Sequence, residues 1–179
     1  MNHDSYSPEY IRNILTSVKT IALVGASNND VRPSYFVLQY LLGKGYDVIP
    51  VNPGLAGQQL LGQTVYGSLQ DIPRPVDMVD IFRNSEAAGP ITGEALALPT
   101  KPKVIWMQLS VRNDGAAAGA EAAGLQVVMN RCPKMEYGKL SGEWAWVGGN
   151  SGIISSRQQT LHESGKVQSL GLGLGTKGY

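Results

Sequence analysis

The most constraining stretch of this sequence runs from Thr20 to Ser34. It opens with the apolar run Ile21 to Val24, and such an unbroken run is typical of a strand buried on both faces of a parallel sheet. Gly25 ends the run where a tight turn needs backbone freedom, and Pro33 suits the first position of a helix. Strand, glycine turn and helix N-terminus form the geometry that receives a phosphate group on backbone N–H groups.

Apolar spacing and capping residues predict the first two helices. After the turn, apolar residues recur at the spacing of one helix face, at Val37, Leu38, Leu41 and Leu42. Before the first strand, Ser7 and Pro8 form a helix-start signal.

Four further apolar segments predict strands near residues 46–51, 78–82, 103–107 and 125–129. A helical segment interrupted at Gly89-Pro90 and an alanine-rich helix that begins at Asn113-Asp114 separate the last three. Strands that alternate with helices predict an α/β fold, a single-domain Rossmann-like, doubly wound parallel sheet of five strands. We expect the strand order 3-2-1-4-5, counted along the chain, and a ligand site at the carboxyl ends of the strands.

The character of the chain changes near residue 140. Residues 1–140 carry all the predicted strands and helices, whereas residues 141–179 are rich in glycine and serine. A chain of 179 residues suits one domain with a sizeable core. We therefore predict one domain over residues 1–140, followed by an irregular C-terminal tail over residues 141–179.

Composition argues against several classes of protein. The net charge is +1, so no strongly basic surface for nucleic acid is predicted. Cys132 is the only cysteine, which rules out an internal disulfide and is typical of a reducing compartment. The N-terminus lacks a signal-peptide pattern, and no apolar run approaches the ~20 residues of a membrane span. The sequence predicts a cytoplasmic protein without nucleic-acid or membrane partners.

The turn departs from the dinucleotide fingerprint in two ways. It keeps one of the three glycines of G-x-G-x-x-G. At the end of the second strand, where an acidic residue would bind the ribose of NAD, the chain reads Val51-Asn52-Pro53. Both departures weigh against a nicotinamide-dependent oxidoreductase, which stays an alternative. From this turn alone, a phosphate ligand and a purely structural role are equally open.

Known patterns for catalysis or metal binding are absent from the sequence, including H-E-x-x-H, C-x-x-C, G-x-S-x-G and the Walker motif. Asp77 and Asp80 lie at the third strand, but without a partner base they are weak indicators of catalysis. The sequence therefore favours a binding protein over an enzyme and predicts no metal site.

Five short motifs stand in order at the ends of the predicted strands: Val24–Ser27 with Arg32–Ser34, Ile49–Pro53, Val79–Arg83, Trp106–Leu109 and Asn130–Lys134. Together they resemble the CoA-binding domain family, small Rossmann-like proteins similar to the N-terminal domain of the succinyl-CoA synthetase α subunit. The resemblance covers residues 10–140. Residues 149–156 also resemble an extension that some members carry.

The resemblance implies that coenzyme A or an acyl-CoA lies across the strand ends. The implied contacts, grouped by part of the ligand, are Gly25, Ala26, Ser27, Arg32 and Ser34 for the phosphates, Asn52 and Pro53 for the adenosine, and Phe82, Arg83 and Gln108 for the way to the pantetheine arm. Asn130 and Cys132, after the fifth strand, complete the predicted site. The arginines Arg32, Arg83 and Arg131 are also open to a role as surface charges.

Cys132 is open to two interpretations. Its thiol could form a mixed disulfide with CoA, or it could be a small buried apolar residue, the interpretation we favour.

The implied role is that of a sensor, carrier or regulatory module for CoA, with a homodimer expected from the exposed tail and the habit of the family. Succinyl-CoA synthetase activity is not implied, because the histidines His3 and His162 lie far from the predicted strand ends and the second domain is missing. An acyl-CoA-transforming enzyme that needs a partner, and a scaffold that uses only the fold, remain alternatives.

Overall fold

The computed structural model describes residues 1–143; the remainder of the predicted tail, residues 144–179, lies outside the described residues. The main sheet consists of five parallel strands: β1 (Thr20–Val24), β2 (Asp47–Val51), β5 (Met78–Ile81), β6 (Val104–Met107) and β7 (Gln126–Val128). Between β2 and β5, β3 (Gln59–Leu60) and β4 (Gln63–Thr64) form a short antiparallel hairpin. The predicted α/β fold with a five-stranded parallel sheet is confirmed.

In the part of the chain that the structure describes, five α-helices cover the two faces of the sheet. One face carries α1 (Pro8–Ser17), α2 (Pro33–Gly43) and α5 (Pro133–Ser141), and the other carries α3 (Ser85–Leu96) and α4 (Asp114–Ala122). Side chains of successive strand residues enter opposite clusters, as Leu23 and Ala22 do, because a strand alternates its side chains between faces. No helix described within residues 1–143 is long and apolar enough to cross a membrane.

The helix-start signals place the first two helices correctly, and α3 differs from the prediction. The Ser7 hydroxyl accepts a hydrogen bond from the backbone N–H of Tyr10 at 3.1 Å, which caps α1. We expected Gly89-Pro90 to interrupt α3, yet the helix is continuous. Pro90 is exposed, so water can satisfy the carbonyl that loses its helical partner, and the buried Ala88 and Ala95 hold the helix against the sheet.

The predicted strand order is wrong. The order is β2-β1-β5-β6-β7, or 2-1-3-4-5 for the strands of the main sheet, instead of 3-2-1-4-5. The outer edge of β2 is occupied by Tyr66, whose N–H donates to the Pro50 carbonyl at 3.0 Å and whose carbonyl accepts from the Asn52 N–H at 2.8 Å. The chain therefore continues to the far side of β1, where the Asp77 carboxylate accepts from the Thr20 N–H at 3.1 Å. The topological switch point consequently lies between β1 and β5.

Two tyrosines at the start of the chain cover the opposite edge of the sheet. The Tyr10 hydroxyl both donates to the Val127 carbonyl and accepts from the Val127 N–H, each at 3.2 Å. The Tyr6 hydroxyl accepts from the Met129 N–H at 2.7 Å, and the two tyrosine rings stack with their centroids 5.8 Å apart. These hydroxyls take the place that the backbone of a sixth strand would have beside β7.

Among residues 1–143, one carboxyl group lies inside the core. Asp80, on the central strand β5, has no exposed surface, and the Nε2 of Gln108 donates to its two oxygens at 2.9 and 3.2 Å. Burial raises the pKa of Asp80 to about 8, although the hydrogen bond from Gln108 favours the ionised form and opposes the shift.

The first turn approaches the end of β5 so closely that position 25 has no room for a side chain. Gly25 has a φ of +95°, and a Cβ there would lie 2.5 Å from the Phe82 carbonyl oxygen. Gly124, which follows α4, has a similar φ of +87° but nothing within 4 Å of such a Cβ. Comparing the two positions separates backbone strain from steric overlap.

We predict that Gly124→Ala lowers the free energy of unfolding by about 1–2 kcal/mol, the cost of a left-handed conformation. Gly25→Ala should lower it by roughly a further 1–3 kcal/mol, because the added methyl group overlaps backbone that cannot move freely. Urea unfolding of both variants measures the difference. Equal losses would contradict the close approach of the turn to β5.

We also predict that Asp80 makes stability depend on pH. The folded protein holds a proton on Asp80 that the unfolded chain releases, so the free energy of unfolding falls as pH rises between about 4 and 8. This single group contributes a slope of about 1.4 kcal/mol per pH unit within that window. Asp80→Asn should remove the contribution, and urea unfolding of both proteins across the window tests it. Parallel curves would refute the prediction.

Candidate functional site

A cavity of about 460 Å³ opens at the carboxyl ends of β1, β2 and β5, beside the topological switch point. Ligand sites of open α/β sheets lie at this place. Eight of the twelve predicted site residues line the cavity, together with Pro33: Gly25, Ala26, Ser27, Arg32, Ser34, Asn52, Phe82 and Arg83. Pro53, Gln108, Asn130 and Cys132 lie outside its lining.

The turn after β1 uses part of its own hydrogen-bonding capacity. The N–H groups of Gly25 and Ala26 donate to the Val51 carbonyl at 2.9 and 3.3 Å, so these two are not free to hold a phosphate group, as the motif had suggested. The Ser27 hydroxyl accepts from the Asn29 N–H at 3.1 Å and fixes the next part of the turn. Gly25 and Ala26 therefore shape the cavity wall with their backbone.

The rest of the turn and the start of α2 supply the donors that remain. The N–H groups of Ser27, Asn28 and Ser34 have no hydrogen-bond partner among residues 1–143. Arg32 is the N-cap residue of α2, and its side chain does not cap the helix. Ser34, which is 5% exposed, also keeps its hydroxyl without a partner in the described part of the chain. Unpaired N–H groups at a helix N-terminus favour an anion.

Two guanidinium groups border the cavity. Neither Arg32 nor Arg83 forms an ion pair within residues 1–143, whereas Arg74 and Arg112 each pair with an aspartate. Of the described residues, no aspartate or glutamate lines the cavity. The Arg83 side chain lies against the turn, because its Cδ is 3.0 Å from the place of a Cβ on Gly25. The field in the cavity is therefore positive.

Asn52 has a structural function at the end of β2. Its Nδ2 donates to the Ala26 carbonyl at 2.7 Å, and its Oδ1 accepts from the Gly54 N–H at 2.8 Å. The side chain thus joins the first turn to β2, which leaves little capacity for a ligand. Pro53 begins a 3₁₀ helix over Pro53–Leu55 and is exposed beside the cavity.

Gln108 and Asn130 lie farther along the carboxyl edge. Gln108 follows β6 next to Phe82, is 5% exposed, and directs its amide nitrogen toward Asp80. Asn130 follows β7 with a φ of +53°, and its Oδ1 accepts from the Ser110 N–H at 2.8 Å. Asn130 therefore supports the loop after β6. Both residues lie at the same carboxyl edge of the sheet as the cavity.

Cys132 is the N-cap residue of α5 and is 7% exposed. Burial raises the pKa of its thiol, and the nearby Asp80 raises it further. A buried thiol with a raised pKa is a poor nucleophile, because the thiolate is the reactive form. The structure therefore agrees with the apolar role for Cys132.

Sequence reasoning missed two features of this edge. The helix α5 was not predicted, although Pro133 is a start signal at its first position. The pairing of Asp80 with Gln108 was also missed, although a charged residue inside the apolar run Met78–Phe82 was a visible signal. Among residues 1–143, no three histidine, cysteine or acidic side chains cluster to hold a metal ion.

Comparisons with known proteins agree with this geometry. Residues 19–138 match the family described as the CoA binding domain. The uncharacterized protein YneT of Bacillus subtilis (strain 168) is 35% identical over 127 residues, which are 71% of this chain and 91% of YneT. The crystal structure of Prb, the PH1109 protein redesigned for binding, is 40% identical with a TM-score of 0.73, over 79% of this chain and 96% of Prb.

A more distant structure shares the fold. The acetyl-coenzyme A synthetase 1 of Ca. Korarchaeum cryptofilum is 21% identical with a TM-score of 0.56, over 67% of this chain and 28% of that one. This likeness concerns the fold alone. The match over residues 19–138 spans every strand of the sheet and the whole carboxyl edge. The chain therefore belongs to the CoA binding domain family, as the motifs at its strand ends had suggested.

Proposed function

We propose that this protein binds coenzyme A or an acyl-CoA at the carboxyl edge of its sheet, as a sensor, carrier or regulatory module. The observation that carries the proposal is the cavity at the switch point, with two guanidinium groups that have no ion pair within residues 1–143 and no carboxylate in its lining. CoA carries a pyrophosphate and a 3′-phosphate, so its nucleotide end is strongly anionic. Arg32, Arg83 and the N–H groups at the start of α2 complement that charge.

The size of the cavity supports a ligand that extends beyond it. A volume of about 460 Å³ lies in the usual range for small-molecule sites and accommodates the nucleotide part of CoA. The pantetheine arm then follows the carboxyl edge past Phe82 toward Gln108 and Asn130. This path agrees with the order of the predicted contacts along the sheet.

The end of β2 argues against the nicotinamide alternative. A carboxylate at this position would hold the ribose hydroxyls of NAD, but Asn52 stands there and uses its amide on Ala26 and Gly54. An acyl-CoA-transforming enzyme would need a reactive group at the site, and the buried Cys132 does not supply one. We therefore favour the hypothesis that the protein binds its ligand without transforming it. The homodimer stays a prediction.

We predict saturable binding of CoA and acetyl-CoA to the purified full chain, and no binding of NAD or NADP, in calorimetric titrations. Acetyl-CoA is also expected to remain intact, so its incubation with the protein should release no free thiol above the uncatalysed rate. Tight binding of NAD without binding of CoA would refute the proposal. Thiol release that depends on the protein would favour the enzyme alternative.

Substitution of the cavity arginines tests the location of the site. Arg32→Ala and Arg83→Ala should each weaken CoA binding by about 1–3 kcal/mol, the scale of a lost charge-assisted hydrogen bond. Arg74→Ala is the matched control, because Arg74 pairs with Asp47 at the amino end of β2. Its CoA affinity should equal that of the unchanged protein. Unchanged affinity in both cavity variants would place the ligand elsewhere.

A further inference from the structure

The pair formed by Asp80 and Gln108 is an unusual feature for the interior of a sheet. Asp80 is fully buried between apolar neighbours on β5, including Val79 and Ile81. Its side chain has one hydrogen-bonding partner among residues 1–143, the Nε2 of Gln108. A buried carboxyl group with so few partners is costly, and an apolar side chain would pack there without that cost. This cost indicates that the pair has a function at the carboxyl edge of the sheet.

Asp80 determines which end of the Gln108 amide faces outward. The amide nitrogen lies 2.9 Å from one Asp80 oxygen and 3.2 Å from the other. Turning the amide over would replace this N–H with a carbonyl oxygen that faces the oxygens of Asp80. Both Asp80 oxygens lie on the nitrogen side of the amide, so the amide oxygen is the end left to face outward.

The carbonyl oxygen of Gln108 is therefore left as the accessible end of the amide. It accepts no hydrogen bond from any residue between 1 and 143, and it is not among the fully buried atoms without a partner. Gln108 is 5% exposed, so this oxygen is a fixed acceptor at the carboxyl edge. A fixed acceptor favours a ligand group that carries an N–H or another donor.

The position of Gln108 matches one part of the proposed ligand. Gly25 follows β1 and Gln108 follows β6, two strands away, which corresponds to about 10 Å across the sheet. The pantetheine arm is built like three to four extended residues and spans on the order of 10–14 Å. With the pyrophosphate at the start of α2, the arm places an amide, and not only its terminal sulfur, beside Gln108.

The geometry points to Gln108 as the acceptor for an amide N–H of the pantetheine arm, and to Asp80 as the positioning residue that presents the Gln108 carbonyl to it. This inference rests on the proposed function. It assigns the pair a role in holding the arm, which CoA and its thioesters share. The pair therefore selects ligands that carry a pantetheine arm over bare adenine nucleotides.

Truncated ligands separate this role from a general effect on folding. Gln108→Met removes the acceptor and keeps the length of the side chain, and it should weaken binding of both CoA and acetyl-CoA about five- to tenfold. Binding of 3′-phosphoadenosine 5′-diphosphate, which has the same phosphates but no arm, should stay the same in this variant. The truncated ligand thus reports on whether the nucleotide part of the site is still folded.

A double-mutant cycle tests whether Asp80 acts through Gln108. Asp80→Leu, which removes both acceptor oxygens, should weaken CoA binding in the presence of Gln108 and have no further effect in Gln108→Met, because the role of Asp80 has already been lost there. Additive losses would refute the positioning role. Equal weakening of the truncated ligand, or CoA affinity unchanged in Gln108→Met, would refute the role of Gln108.

The unchanged protein distinguishes failure of this inference from failure of the proposed function. Binding of neither CoA nor the truncated nucleotide refutes the proposed function, and the inference with it. Binding of the truncated nucleotide as tightly as CoA refutes only the inference, because the arm then contributes nothing. Tighter binding of CoA than of the truncated nucleotide supports both.

Discussion

The contact between the first turn and the end of β5 controls the geometry of the whole carboxyl edge. The turn can lie against the Phe82 carbonyl because position 25 carries no side chain. This contact lies at the carboxyl ends of β1 and β5, the two strands on either side of the topological switch point. It also brings Arg83 beside the start of α2, where Arg32 lies. Two elements distant in sequence thereby contribute charge to one cavity.

Charge is arranged by depth at this edge. The guanidinium groups lie at the solvent boundary, where they keep their charge, and the acid lies in the interior, where burial keeps Asp80 neutral below about pH 8. A neutral Asp80 removes the repulsion that a buried carboxylate would exert on an anionic ligand above it. The same residue still accepts a hydrogen bond from Gln108. Below about pH 8, the buried acid therefore adds no negative charge beneath the positive cavity.

Local signals in the sequence predicted the elements of the fold, and long-range contacts decided what could not be predicted. The run Ile21–Val24 and the helix-start residues Ser7 and Pro33 act over a few residues, so the sequence reveals β1, α1 and α2. The strand order depends on Tyr66, which occupies the edge of β2 through hydrogen bonds to residues fourteen and sixteen positions earlier. The local residue pattern of a strand does not indicate whether another segment already pairs with one of its edges.

The same distinction between local signals and long-range contacts applies to the site. The motifs identified most of the cavity lining, because residues at the carboxyl ends of parallel strands converge on one edge. They did not show that the N–H groups of Gly25 and Ala26 donate to the Val51 carbonyl. Nor did they show that the Asn52 amide donates to the Ala26 carbonyl. The partnership of Asp80 with Gln108 joins β5 to the end of β6. Such assignments depend on which strands are neighbours, and that depends on the topology.

The tyrosine hydroxyls beside β7 have a consequence for how copies of this protein can meet. An uncovered outer strand is a template for another chain, which can add to a sheet by backbone pairing. Here Tyr10 and Tyr6 occupy both backbone groups of Val127 and the Met129 N–H at one border, and Tyr66 occupies the Pro50 carbonyl and the Asn52 N–H at the other. A continuous sheet across two molecules is therefore disfavoured at both borders. We therefore expect any self-association of the described domain to use its helices and loops.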